Sequence, residues 1–348
     1  MIKTLQQKIN TQLNDYAQVE KSFREKTGIE LVTNKQQSEN TAKCNEFVSI
    51  VISCYMGHKT LSLMFKNLET QTYKNFEVIV VDDGSPESML GMVKNLNLNF
   101  KTKFIRQIRN RGRSFTRNTG MLASDGDSII FTDQDIIFDQ DFVLKFAIRQ
   151  FHTKDCIFIG FKEDIDFEEL KSTKKPSLRS DWRYSVKGEE FFIPLYHPSD
   201  NFIKTTPREY RILRETNNLK GLEYGQKIGF WDLPSLIISH GLSVKKQAAI
   251  LSGGFPEKGF DGWGAQDIAF GARLIGEGNF VIPVMNNVYY HIVHERYSGS
   301  REEELKELKH NLKAYFALLN SIDYNCSPEK RNIKKIKDYH NLEFYEVK

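Results

Sequence analysis

The chain has 348 residues, 40% of them hydrophobic, including 25 Phe and 14 Tyr, which supplies a packed core and excludes disorder for the body of the molecule. That length fits one large domain with insertions or two small ones. A net charge of +4 is too small to point to nucleic acid, which calls for a concentrated basic stripe.

Residues 1–45 are polar, with Leu5, Ile9, Leu13 and Tyr16 at spacings that predict one weakly amphipathic helix, a packing arm or a contact between copies in an oligomer. Phe47 to Tyr55 is a compact apolar run and predicts a buried strand. Lys59 to Gln71 places Leu61, Met64, Phe65 and Leu68 on one helical face. Glu77 to Val81 is a second strand, ending abruptly in Asp82-Asp83-Gly84-Ser85. Phe104 to Ile108 predicts a third strand and Ser114 to Ala123 a helix. Ser128 to Thr132 is a strand that ends in Asp133-Gln134-Asp135. Gln140 to Phe151 predicts a helix with Phe142, Val143, Phe146 and Phe151 inward.

Residues 155–250 are less regular and are punctuated by Pro176, Pro194, Pro198, Pro207 and Pro234, which suggests an elaboration covering one side of the body. Pattern resumes at Leu251-Ser-Gly-Gly254-Phe and Gly262-Trp-Gly-Ala-Gln-Asp267. A helix from Gln266 to Gly276 and a strand reaching Tyr290 and His291 follow. Glu302 to Asn320 repeats Leu305, Leu308, Leu312, Phe316 and Leu319, an amphipathic helix packed on the body. The tail is basic around Lys330 to Lys337, a solvated face or a weak attraction to anionic lipid. The expected division is 1–45 helical arm, a first half over 46–150, a second half over 151–298, and 299–348 helix and tail.

Cys44, Cys54, Cys156 and Cys326 form no C-x-x-C pair, so neither a zinc site nor a disulfide framework is expected. MIKTLQQKIN lacks the apolar core of a signal peptide, and no stretch approaches the roughly 20 apolar residues that span a bilayer. A cytoplasmic location is expected, with peripheral contact at the inner face of the membrane as its furthest extension.

Alternating strands and helices predict an α/β fold with a mostly parallel central sheet, and such sheets bind ligands outside the carboxyl ends of their strands. Both acidic clusters fall at that edge. Asp133 and Asp135 are hard oxygen donors that suit Mn²⁺ or Mg²⁺ and leave positions open for phosphate oxygens; a solvated turn is the plain alternative. Asp83 suits a base N–H or a ribose hydroxyl, against an Asx turn with Gly84. A nicotinamide-dinucleotide site would want G-x-G-x-x-G after the first strand, where this chain has Cys54-Tyr-Met-Gly-His.

Four segments in order carry a resemblance: Val48-Ser-Ile-Val-Ile-Ser-Cys-Tyr55; Gln71 through Val81-Asp-Asp-Gly-Ser85; Asn110-Arg-Gly-Arg-Ser-Phe-Thr-Arg-Asn-Thr-Gly120; and Phe131-Thr-Asp-Gln-Asp135. Residues 47–145 thereby resemble family 2 of the inverting glycosyltransferases, whose fold is GT-A. The resemblance implies that Tyr55 lies against a uracil ring and that Asp83 contacts the base edge. It also implies that Arg117, with Arg113, sits near the nucleotide or diphosphate, that Asp135 binds the metal, and that Asp133 contacts metal or ribose. Gly262 to Asp267, with Phe270-Gly-Ala-Arg-Leu274 and Tyr290-His291, is similar to the carboxyl-terminal half of galactosyl- and N-acetylgalactosaminyl-transferase domains and of bacterial chondroitin-type polymerases. In those the tryptophan motif ends in Glu-Asp, whereas Gln266 stands here. That similarity implies Asp267 as base and His291 as a further metal ligand, with His294 as the competing histidine. Gly254 and Trp263 join the nucleotide-sugar set, and Trp263 is either a platform for a sugar face or a core residue.

The expected function is therefore metal-dependent transfer, with inversion, of a hexose or N-acetylhexosamine from a UDP-sugar to a glycan, lipid-linked or protein acceptor. Competing expectations are a metal-dependent nucleotidyltransferase, which would show a Gly-rich basic loop after the first strand, and a non-catalytic carbohydrate-binding relative, which would have no need of Asp83, Asp133, Asp135 and Asp267.

Overall fold

A computed structural model describes residues 3–11, 14–32, 37, 39, 42–166, 181, 194–195, 204–205, 233–293, 300–321 and 342–347. His294, Cys326, the basic run Lys330 to Lys337 and most of the irregular stretch 155–250 lie outside the described residues.

The chain opens with α1 (Leu5–Thr11) and α2 (Ala17–Thr27), two helices where the apolar spacing predicts one. The break falls at Asn14, which has positive φ and turns its side chain outward from the helical path: its amide donates to the carbonyl of Val281 at 3.1 Å and accepts the Val281 N–H at 2.8 Å. Paired long-range hydrogen bonds at a buried amide outweigh the weak helical preference of a short segment. Leu5, Ile9 and Tyr16 are buried, so the arm packs on the body.

Next come β1 (Val48–Cys54), α3 (His58–Glu69), β2 (Phe76–Asp82), α4 (Leu90–Asn95), β3 (Lys101–Gln107), α5 (Arg113–Ala123), β4 (Ser128–Asp133), β5 (Ile136–Phe138) and α6 (Phe142–His152). Then follow β6 (Cys156–Ile165), a small pairing of β7 (Pro194–Leu195) with β8 (Lys204–Thr205), β9 (Leu242–Lys245), α7 (Lys246–Leu251), α8 (Gln266–Gly276), β10 (Phe280–Ile292), α9 (Arg301–Leu319) and β11 (Leu342–Val347). The large sheet has the order β11-β3-β2-β1-β4-β9-β6-β10-β5. Strands β3, β2, β1 and β4 are parallel, as the alternating pattern requires. Beyond β4 the sheet is mixed: β9 runs antiparallel to β4 and β6, β10 is parallel to β6, and β5 is antiparallel to β10.

β1 and β2 are apolar over nearly their whole length because helices cover both faces of the parallel half. Two expectations need correction. Phe151 is 42% exposed, since α6 buries the face that carries Phe142, Val143 and Phe146 and the last turn runs past the core. Ile108 is 62% exposed, because β3 ends at Gln107. The chain end also adds an unforeseen strand, β11, antiparallel on β3. Cys44, Cys54 and Cys156 are free thiols.

The early segment is anchored by a buried ion pair. Arg149 of α6 is fully buried; its guanidinium meets the Glu39 carboxylate at 3.0 Å and donates through Nε to the Leu31 carbonyl at 3.0 Å. Removing one partner strands the other charge in the interior. Arg149→Ala is therefore expected to cost about 3–5 kcal/mol of unfolding free energy, read by urea denaturation, the usual scale for breaking a buried pair; Arg149→Lys, which keeps the charge and loses the fork, should fall between.

Candidate active site

The carboxyl ends of β1, β2 and β4 open onto a cleft of about 760 Å³ lined by Ser53, Tyr55, Asp83, Arg113, Asp133 and Asp135 from the first half and by Gly262 and Trp263 from the second. The sheet register produces this convergence. Cys54 of β1 lies beside Asp82 of β2, and Ser53 lies beside Asp133 of β4, so the residues that follow each strand emerge together.

Tyr55 is fixed through Gln134, the middle residue of the acidic triplet. The Gln134 amide accepts the Tyr55 N–H at 2.9 Å and donates to the Tyr55 carbonyl at 2.9 Å, and the Cys54 thiol donates to the Gln134 Oε1. A Cβ at position 57 would overlap the Gln134 amide and displace it. Asp83 accepts the backbone N–H groups of Arg111 at 2.7 Å and Gly112 at 3.0 Å, which pins the turn leading into α5. Burial pushes its carboxyl up to about 6, although those donors pull the other way.

Arg117, on α5, is buried and bridges the two halves. One terminal nitrogen donates to Asp133 at 3.1 Å and the other to Asp267 at 3.2 Å. Ser53 donates to the same Asp133 carboxylate at 2.5 Å. Burial alone would raise the Asp133 carboxyl, but Arg117 offsets it and leaves the group below its ordinary range. Asp267 sits in the first turn of α8, where its negative charge also suits the helix dipole.

His291 reaches the edge from β10, between β6 and β5. Its backbone is level with Asp164 on one side and with Ile136, the residue after Asp135, on the other. Its ring accordingly lies between two carboxylates: Nδ1 is 2.9 Å from Asp164 and Nε2 is 3.5 Å from Asp135. Burial lowers the imidazole, yet the two carboxylates more than compensate and hold it above its usual value. An imidazole steadied at Nδ1 by a carboxylate and presenting Nε2 to a second acid is a fitting donor set for a divalent metal. Among the described residues no group of three His, Cys, Asp or Glu side chains forms a closed cage, so substrate oxygens would have to supply the remaining positions.

Some expected residues occupy other places. Gly254 lies behind α5, with its carbonyl on Arg273 and no room for a Cβ beside Asn118. Gln266 donates to the Gly262 carbonyl at 2.8 Å and is buried, bracing the turn before α8. Sequence reasoning missed Ser53, Gln134, Asp164, Glu307, Asn311 and His240. His240 is paired through Nδ1 with the Tyr289 hydroxyl at 2.9 Å; burial lowers its pKa to about 4 despite the nearby Asp133 and Asp267. Gln134 alone had a legible signal, as the residue enclosed by two acids at a strand end.

Residues 49–221 match the model of Glycosyl transferase family 2. The chain carries a family 2 glycosyltransferase domain. Chondroitin synthase of Pasteurella multocida is 25% identical over 266 residues, covering 74% of this chain and 26% of that protein. An uncharacterised glycosyltransferase of Bacillus subtilis is 25% identical over 245 residues, covering 65% of this chain and 59% of the relative. The chain thus spans only part of the curated relatives it matches. Among solved structures, GalNAc-T7 with UDP, GalNAc and Mn²⁺ superposes with a TM-score of 0.55 at 15% identity, over 87% of this chain and 56% of that one. A mannosyltransferase of Pyrobaculum calidifontis with GDP-Man and Mn²⁺ gives 0.51 at 16% identity, over 84% and 69%. These likenesses carry the fold, GT-A.

The Asp83 environment has a measurable signature. Its folded pKa lies above the unfolded carboxylate value of about 3.9, so its contribution to stability is present below pH 4 and lost as pH rises through about 6. The unfolding free energy of wild type minus that of Asp83→Asn should fall by about 2–3 kcal/mol between pH 4 and pH 7 in denaturant titrations. A flat difference would place Asp83 in a normal environment.

Proposed function

We propose that this glycosyltransferase moves a hexose or N-acetylhexosamine from a UDP-sugar to a hydroxyl of a glycan, lipid-linked or protein acceptor, with inversion at the anomeric carbon. One arrangement supports the reading: Asp133 and Asp135 line one cleft with Tyr55 and Asp83, Asp135 lies beside His291, and Asp133 is joined through Arg117 to Asp267. In this reading residues 46–150 serve the nucleotide and residues 151–298 the acceptor and the chemistry. The relatives named as chondroitin and hyaluronan synthases favour a polysaccharide-building role, and GalNAc-T7, solved with UDP and GalNAc, favours the uridine donor.

Asp135 and His291 are the residues that would hold a divalent ion, with Asp133 beside them, and a ring nitrogen among the donors suits Mn²⁺ better than Mg²⁺. Such an ion, when bound, supplies positive charge to the leaving diphosphate. The chain's own residues do the remainder. Tyr55 and Asp83 receive the base. Arg117 donates to one oxygen of Asp267, and in this reading the other serves the acceptor. Asp267 then takes the acceptor proton as the acceptor oxygen bonds to the anomeric carbon and the carbon–oxygen bond to UDP breaks. A single displacement of this kind inverts the configuration.

A panel of nucleotide sugars, assayed for UDP or GDP release with Mn²⁺ and with excess chelator, tests the reading. Metal-dependent turnover of a UDP-hexose or UDP-N-acetylhexosamine is expected, with UDP bound more tightly than GDP or ADP by calorimetry. A preference for GDP, or full turnover in chelator, would overturn it. Asp267→Asn should retain donor binding and transfer at least roughly a hundredfold more slowly, the scale of acid–base assistance; normal transfer by this variant, or a product of retained configuration, would remove the single-displacement scheme. Asp164→Asn, which leaves both proposed ligands in place, should weaken Mn²⁺ binding about 10–100-fold in a direct titration.

A further inference from the structure

The turn that precedes α8 is shaped from outside by α9. Three residues of the turn have left-handed backbone: Gly262 (φ +63°), Gly264 (φ +99°) and Ala265 (φ +64°). The conformation is costly for the alanine and leaves several carbonyls without helical partners. α9 satisfies them. Asn311 is fully buried and donates its amide to the carbonyls of Asp261 at 2.8 Å, Gly264 at 2.9 Å and Trp263 at 3.2 Å, while its oxygen accepts the Asp261 N–H at 2.9 Å. One helical turn earlier, Glu307 accepts the Trp263 N–H at 2.8 Å. The contact is close enough that a Cβ at Gly262 would overlap the Glu307 carboxylate and one at Gly264 would overlap Leu308. A buried asparagine that uses donor and acceptor on one backbone turn specifies a single shape, since neither aspartate nor leucine of similar size supplies both functions.

The same turn delivers two site residues. Trp263 lines the cleft, and Asp267 follows in the first turn of α8, where it meets Arg117. We propose that Asn311 and Glu307 are positioning residues for sugar transfer, holding Trp263 and, through the start of α8, Asp267 at the distance the reaction needs. The inference rests on Asp267 acting as base. It assigns α9 a role beyond packing, because the hydrogen-bonding atoms of α9 address the turn's backbone and the apolar residues, Leu312 and Leu319, pack against the core. A shift of about 1 Å at a base costs on the order of a hundredfold in rate, so a brace of this kind is expected to act on turnover more than on donor affinity.

The test compares Asn311→Ala and Asn311→Asp with Leu319→Ala, a substitution in the same helix at a core position away from the turn. Transfer kinetics with the best donor and hydrogen exchange of a peptide covering 261–267 are measured on each. The two Asn311 variants are expected to lower kcat at least tenfold with donor KM within twofold and to speed exchange in that peptide, whereas Leu319→Ala does neither, whatever its melting temperature. Glu307→Gln, which keeps an acceptor for the Trp263 N–H, should stay within twofold of wild type, and Glu307→Ala should not. Wild-type kcat in both Asn311 variants, or unchanged exchange at 261–267, overturns the proposal; so does an equal loss in Leu319→Ala. If Asn311→Ala does not fold, the Glu307 pair decides. Absence of wild-type turnover on any nucleotide sugar would sink the transferase reading, and the exchange data would then still decide whether Asn311 shapes the turn.

Discussion

The arrangement of acids in this site depends on the buried guanidinium of Arg117. Asp133 arrives from the end of β4 and Asp267 from the start of α8, elements far apart in the chain. Two carboxylates facing one partly buried space repel, and without a shared cation one would take up a proton or swing away. Arg117 presents a separate terminal nitrogen to each, and burial lowers its pKa less than the two acids raise it. Its planar fork suits a bridging position that a lysine, with a single charged nitrogen, cannot fill.

Around that bridge the sheet supplies positions and side chains supply orientation. β1, β2 and β4 end level with one another, so Tyr55, Asp83 and the Asp133–Asp135 pair lie along one edge. β10 brings His291 to the same edge from the mixed side, level with Asp164. Neighbours then fix each orientation: Gln134 for Tyr55, Ser53 for Asp133, Asp164 for His291 and the Arg111–Gly112 backbone for Asp83. Rigid placement of this kind before substrate arrives is what allows polar groups to act in a partly dry cleft without first rearranging.

What the sequence made legible follows from the range of each interaction. Strand ends were readable because Val78-Ile-Val-Val81 and Ile129-Ile-Phe131 stop abruptly at acids, and a buried strand can only shed carboxylates at its edge. α8 was readable to its boundaries because its start is marked by glycines and its body is periodic. The break at Asn14 was hidden, since its cause is Val281, 267 residues away along the chain. Asn311 was equally hidden inside the amphipathic repeat of α9, where an asparagine among leucines gives no sign of the turn it meets. Gln266 shows the converse: the residue that departs from the Glu-Asp motif spends its amide on the backbone four residues earlier.

The order of strands has a consequence for how the chain reaches its native state. β4 lies between β1, made early, and β9, whose Leu242 pairs with Phe131 only after the long irregular stretch has been made. β3 is flanked by β2 and by β11, whose Glu346 pairs with Lys103 near the chain end. On a ribosome, the parallel half would emerge with two strands still lacking a neighbour and would wait for the later chain to cover them. Non-local pairing of this kind slows folding and leaves open edges that recruit other chains. The nascent protein is therefore most exposed to misassociation during synthesis of its second half.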